Sequence, residues 1–187
     1  MSTSAGLRGT LSAVFDRAAT LAYQGLAKIG LRLTFYYLYS LGPEHPSVQN
    51  RSRRREVICL PDPSPTSDEA AITAYVGGER AGRVALTAMP SYIPRIKATW
   101  DAEGALIYDL MVLKEGRRQG IGRSLLTAAI EANAGTKLYA MVFVTNMPSR
   151  RLFESCGFRI EGRLFYVEVF GKAIRNAGSL RYLKVGQ

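Results

Sequence analysis

An α/β fold, with strands and helices in alternation and an N-terminal appendage, is predicted by three features of this 187-residue sequence. The apolar run Leu106–Val112 reads as a buried strand that leads through a turn, Lys114–Gln119, into an amphipathic helix opening at Gly120. A second unit of the same kind follows, with an alternating run at Leu138–Val144 and a helical stretch at Pro148–Cys156. Upstream, Ala71–Val76 and Ala81–Met89 flank Gly77-Gly78, the pattern of a hairpin with glycines at its turn.

In chain order, Thr10 to Leu41 reads as one or two helices, weakened at Gly25 and Gly30. Leu11, Val14, Phe15, Ala18, Ala22, Ile29, Leu33 and Tyr36 fall on one stripe, and Arg17, Gln24, Lys28 and Arg32 lie opposite. An apolar face with a basic back and an aromatic end (Phe35, Tyr36, Tyr37, Tyr39) suits an interfacial helix, so peripheral contact with an anionic membrane through residues 10–41 is one expectation. The plain alternative is a helix packed on the rest of the chain or on a sister subunit, as in a homodimer. The longest uncharged run there, Leu33–Pro43, falls short of the ~20 residues that a spanning helix needs. The interspersed charges and the lack of a small-residue cleavage site disfavour a signal peptide. Gly42–Arg55, with two prolines and four arginines, is a linker by composition. The expected organisation is an appendage over residues 1–50 and a main domain over 51–187. Glu56–Leu60 reads as a short strand, Pro61–Glu69 as a loop and Ser91–Gly104 as a longer connection bearing Trp100. Gly135 is a helix end, and Leu164–Phe170 and Leu180–Val185 are closing strands.

Composition sets the outer bounds. At 47% apolar residues the chain can fill a core, and two cysteines, Cys59 and Cys156, are too few for a disulfide framework. Two reduced thiols fit a cytoplasmic protein, with the inner membrane face as a further expectation. With His45 as the only histidine, a histidine-based triad or zinc site is disfavoured, and no metal is expected. The net charge of +10 is uneven: Met1–Arg55 holds eight basic residues against Asp16 and Glu44. That balance favours anionic partners. Arg51, Arg53, Arg54 and Arg55 could meet nucleic-acid phosphates, but a solvated charge run is the commoner explanation and nucleic-acid binding is disfavoured.

The strand–turn–helix junction carries the chemistry. Gly120 and Gly122 have no side chains to hold a ligand off the first free N–H groups of the helix. The helix dipole and Arg117, Arg118 and Arg123 add positive charge at the same place. The junction therefore suits a phosphate or pyrophosphate. The lysine-containing P-loop fails, because Arg123 follows Gly122, and the dinucleotide fingerprint fails at Leu125. Arg117-Arg118-Gln119-Gly120-Ile121-Gly122 instead fits Arg/Gln-x-x-Gly-x-Gly/Ala and resembles the acyl-CoA pyrophosphate loop of the GNAT superfamily of N-acyltransferases. Val112, five residues before Arg117, matches the hydrophobic residue that closes that superfamily's fourth strand. Asn146-Met147-Pro148-Ser149, followed by Gly157-Phe158, resembles its second motif. The resemblance covers roughly Arg55 to Gly186.

That resemblance implies a mixed, mostly antiparallel sheet flanked by helices, here with an N-terminal helical extension. It implies acyl transfer from acetyl-CoA, the donor substrate, to a primary amine. The amides of Gln119, Gly120, Ile121, Gly122, Arg123 and Ser124 would hold the donor, with Arg117, Arg118 and Arg123 as charge partners. The backbone of Leu110, Met111 and Val112 would bond the pantetheine arm, with Asn146, Ser149 and Phe153 nearby. Asp109, a carboxylate inside an apolar strand, is the candidate base, because burial would raise its pKa toward a useful range. The alternative is a structural aspartate bonded to a neighbouring loop. Tyr108, facing the other way, is expected to pack.

Two departures from the superfamily stand out. Phe153 occupies a position where many relatives carry a tyrosine close to the CoA sulfur, and phenylalanine cannot donate a proton. Tyr166 and Ser149 are the nearest substitutes. The superfamily also places two helices between its first and second strands, and Pro61–Glu69 is too short for both. Either the N-terminal helices wall the acceptor site or its cleft is open. The acceptor expected is a small amine; the basic aromatic N-terminus together with Asn146-x-Pro148-Ser149 resembles GNAT enzymes of cell-surface polysaccharide assembly, which implies an amino sugar or polysaccharide precursor. Protein amines are an alternative acceptor, and a non-catalytic CoA-binding regulatory module is an alternative function.

Overall fold

A computed structural model of the chain describes residues 31–44, 56–62, 69–89, 91–93, 98–169, 172–176 and 183–184. The helical reading of residues 10–30, the charge run at 51–55 and the loop at 63–68 lie outside the described residues.

Nine strands form one sheet. They are β1 (Leu31–Leu41), β2 (Val57–Asp62), β3 (Glu69–Val76), β4 (Glu79–Ala88), β7 (Ala105–Ile107), β8 (Met111–Val112), β9 (Leu138–Phe143), β10 (Arg159–Val169) and β11 (Lys172–Asn176). Their order is β11-β10-β1-β9-β7-β4-β3-β2, and β8 pairs with β4 alone. Three short strands, β5 (Ser91–Ile93), β6 (Ala98–Trp100) and β12 (Leu183–Lys184), make a second sheet. Two helices, α1 (Ile121–Ala132) and α2 (Met147–Ser155), complete the described elements. The mixed, mostly antiparallel sheet with flanking helices is the expected architecture.

The hairpin forms as expected, with Gly77 and Gly78 both at positive φ, the conformation of the tightest two-residue turns. Residues 31–41 do not form the expected helix. They are a strand in the middle of the sheet, paired with both β9 and β10. Tyr36 and Leu38 are buried on one face of it, and Tyr39 and Leu41 on the other. A strand buried on both faces is apolar at nearly every position, so a helical stripe can be traced through it as easily as an alternation. Its aromatic content favours the strand. The segment expected as an appendage over residues 1–50 therefore gives residues 31–41 to the sheet. Among the described residues, no helix is long and apolar enough to cross a membrane.

The core is layered on the two sheet faces. On one, Ile121, Leu125, Leu126, Ala129 and Ile130 of α1 pack with Phe153 of α2 against inward residues of the strands, among them Val84, Leu86, Leu138 and Ala140. The opposite face buries Tyr36, Leu38, Leu106, Tyr139, Leu164 and Tyr166 around Trp100. Trp100, 1% exposed, lies 5.0 Å from Tyr139. The connection that looked irregular thus contributes two strands and the ring that caps this face.

Leu125 has no exposure and bridges α1 to β4. Leu125→Ala is expected to lower unfolding stability by about 2–5 kcal/mol in a chemical-denaturation titration.

Candidate active site

Among the described strand pairs only β7 and β9 run parallel, through Ala105↔Leu138, Leu106↔Tyr139 and Ile107↔Ala140. Beyond Ile107 the two part. β9 continues beside β1, and the other chain bends at Tyr108–Leu110 and pairs with β4 as β8. The bend is held from one side: Tyr108 N–H donates to Ala85 O at 3.1 Å, and Ala85 N–H donates to Asp109 O at 3.2 Å. The expected strand Leu106–Val112 is therefore two strands with a break. Gly82 sets the depth of the bend, because a Cβ there would stand 2.7 Å from Met111 O and 3.0 Å from Leu125 Cδ1. Among the described residues no strand lies beside the edge of β8 away from β4, and of the backbone there only Val112 O is met by a side chain, that of Arg117.

Both strands end at a helix start, and ligands of parallel sheets collect where such strand ends part. After β8, Lys114–Gly116 make one tight turn, closed by Gly116 N–H donating to Leu113 O. Arg118 then adopts φ +61° and Gly120 φ +87°. A non-glycine residue in the left-handed region costs on the order of 1 kcal/mol, so this turn is held under strain. Arg123 N–H and Ser124 N–H donate to Gly120 O and open the helix. The N–H groups of Gln119, Gly120, Ile121 and Gly122 precede those bonds. Gly120 supplies no side-chain cap, and the first turn holds no acidic residue. The positive end of α1 is thus uncompensated by the chain itself.

Side chains brace the turn. Arg117 Nε donates to Val112 O at 3.4 Å, Gln119 Nε2 to Glu115 O at 2.7 Å, and Arg123 Nη2 to Ser155 O at 3.4 Å. Packing limits what this turn can offer a ligand. Gly122 clears space for packing: a Cβ there would meet Leu152 Cδ2 at 3.1 Å and Val112 Cγ2 at 3.5 Å. Ser124 is buried with its N–H already used in the helix, so it offers no amide to a ligand. The Ile121 side chain is likewise buried, which leaves only its N–H.

Asp109 sits at the break but is not buried. Its side chain is 49% exposed, and Oδ2 lies 3.8 Å from Arg83 Nη1. The bend turns the side chain out of the apolar row that the sequence suggested. Tyr108 is half-exposed, where packing was expected. Partial burial, then the Glu69 carboxylate bonded to it, push its hydroxyl above the usual tyrosine range.

The second motif is chiefly structural. Asn146 Oδ1 accepts from Ser149 N–H at 3.3 Å and caps α2. Phe153 is buried, stacked on Tyr39 with ring centroids 6.1 Å apart and edge-on to Phe158 at 5.0 Å, so it belongs to the core and not to a ligand surface. The tyrosine beside it, Tyr39, donates its hydroxyl to Glu154 Oε1 at 2.7 Å. Tyr166 is also buried, in β10, with β1 and β9 between it and β7. At a strand spacing of about 4.8 Å its backbone lies roughly 14 Å from the break, so the fold does not bring it to the site.

Burial pushes the Cys59 and Cys156 thiols up, which disfavours a thiolate nucleophile at either. Among the described residues, no group of three or more His, Cys, Asp or Glu is placed to hold a metal ion.

The model of the acetyltransferase (GNAT) family matches residues 36–158. The chain belongs to the GNAT acetyltransferase family. That match begins inside β1 and ends with the Gly157-Phe158 pair, so it includes the break, the phosphate turn and both helices. No curated protein matches the chain in sequence. Solved structures share its fold at low identity. A conserved protein of unknown function from Staphylococcus epidermidis is 14% identical with a TM-score of 0.58, over 78% of this chain and 65% of its own. A GCN5-related N-acetyltransferase from Sphaerobacter thermophilus is 14% identical with a TM-score of 0.52, over 84% of this chain and 57% of its own. One from Kribbella flavida is 14% identical with a TM-score of 0.50, over 79% and 63%. The chain thus spans between 57% and 65% of the length of these structural relatives.

Sequence reasoning missed Gly82 and Arg83. Their one visible signal is a glycine and a cation inside the largely apolar Ala81–Met89 run. Gly82→Ala is expected to push Met111 out of register with β4. The expected cost is roughly 1–3 kcal/mol of stability by thermal melting, and CoA affinity should weaken in the same protein by calorimetry.

Proposed function

We propose that the protein transfers an acetyl group from acetyl-CoA to an amine, at the break between β7 and β8. The observation that carries this reading is the uncapped start of α1, with its open N–H groups at the mouth of the split between β8 and β9. A diphosphate there satisfies those N–H groups and meets Arg118. The pantetheine arm then lies along the open edge of β8 as an added strand. A backbone N–H at the break would bond the thioester oxygen and stabilise charge developing on it.

The amine nitrogen attacks the thioester carbon. The C–N bond forms, the C–S bond breaks, and CoA leaves as a thiolate. The amine's proton passes to the Asp109 carboxylate, directly or through water. Phe153 supplies no proton to the sulfur, and a thiolate is a tolerable leaving group without one. The acceptor classes in view are a small amine, including an amino sugar or polysaccharide precursor, and a protein amine. Two thiols and an acetyl-CoA donor suit the cytoplasm.

A second reading is a non-catalytic CoA-binding module, favoured because neither Phe153 nor Tyr166, both committed to the core, offers a proton donor at the break. Free-thiol release from acetyl-CoA separates the two, measured across spermidine, glucosamine, an aminoglycoside and a lysyl peptide. An enzyme is expected to release thiol with at least one of them. Asp109→Ala should then cut turnover by about 10²–10⁴ while CoA affinity holds. Gly120→Val should weaken CoA binding at least tenfold by calorimetry, because it strains the left-handed cap and crowds the amides. Unchanged binding would remove the donor site from α1.

A further inference from the structure

Cross-strand register places a set of polar residues beside the break, on the sheet face turned away from α1 and α2. Leu60, Thr73, Arg83 and Met111 stand in one row across β2, β3, β4 and β8. The next row runs Asp62, Ala71, Ala85 and ends at Asp109. Asp62 and Asp109 thus close the two ends of a row whose middle positions are alanines, and both alanines are buried.

Arg83 joins the ends. The buried Thr73 hydroxyl donates to Asp62 Oδ2 at 2.6 Å. The same oxygen lies 3.7 Å from Arg83 Nε, and Arg83 Nη1 lies 3.8 Å from Asp109 Oδ2. A guanidinium that reaches both carboxylates lies over Ala71 and Ala85, where any larger side chain would take its place. This use of two nitrogens on opposite flanks needs the planar fork of arginine, because lysine offers a single nitrogen.

We infer that Arg83 is the positioning residue for Asp109, anchored in turn by Asp62 and Thr73. The inference rests on the reading of Asp109 as the group that takes the acceptor's proton. A half-exposed aspartate at a strand break samples several rotamers. Holding Oδ2 against Arg83 selects one of them, and among the described residues no group bonds Oδ1. That oxygen is left for the acceptor. An exposed ion pair of this kind contributes little to stability, so its service is geometric.

The test uses the full chain, acetyl-CoA and the amine of the panel above with the highest turnover. Arg83→Ala is expected to lower kcat at least tenfold with KM for acetyl-CoA and the melting temperature unchanged. Arg83→Lys should recover little of that loss, and Asp62→Asn should fall in the same direction. In an Asp109→Asn background, Arg83→Ala should cost less than a further twofold, because the group it positions is already gone. Full kcat in Arg83→Ala, or an undiminished loss on top of Asp109→Asn, overturns the inference and leaves acyl transfer standing. Full turnover in Asp109→Asn overturns the role of Asp109 itself, and the inference with it. No thiol release with any amine overturns both the inference and the acyltransferase reading.

Discussion

β7 and β9 pair through three residues and then separate, and the candidate site exists because of that separation. A parallel pair whose strands both lead into helices must open somewhere if the helix starts are to stand apart. Here the opening is forced early by the bend at Tyr108–Leu110, which Ala85 holds through both its N–H and its C=O. Gly82 admits Met111 O to a distance that any side chain would forbid. Among the described residues, the backbone groups that this leaves without a strand or helix partner are grouped at one mouth: the far edge of β8, and the first amides of α1. Each would be costly if buried dry, and the proposed donor, a diphosphate with an amide-bearing arm, has a group suited to each.

Strain collects at this mouth as well. Arg118 holds a left-handed backbone between the tight turn at Lys114–Gly116 and the glycine that starts the helix. Its neighbours Arg117, Gln119 and Arg123 spend hydrogen bonds on backbone carbonyls of β8, the turn and α2. The basic residues of the loop are thus divided between shaping it and facing outward, where sequence alone made them equivalent.

What was legible in the sequence was local. A turn set against a helix, a glycine hairpin and an Asn cap are decided within a few residues of chain, and Gly77-Gly78, Gly120 and Asn146 all declare themselves. What was not legible depends on partners far along the chain. The Leu31–Leu41 strand was hidden because burial on both faces erases the alternation that identifies a strand. The apolar flanks of Asp109 predict burial, whereas its surroundings are set by a bend and by Arg83 on another strand. Phe153 and Tyr166 were drawn to the site by their places in the sequence, and only the layering of the sheet shows both committed to core packing.

The place of β1 has a consequence for how the chain acquires its structure. Its partners, Leu138–Phe143 and Arg159–Val169, are made long after it. A ribosome emitting this chain releases an aromatic strand with two unmatched edges and holds it so until both of those partners have emerged. Contacts of such long sequence separation slow folding, and unmatched edges invite pairing with the wrong chain in the interval. The strand that joins the two halves of the sheet therefore waits on both β9 and β10 for its seat.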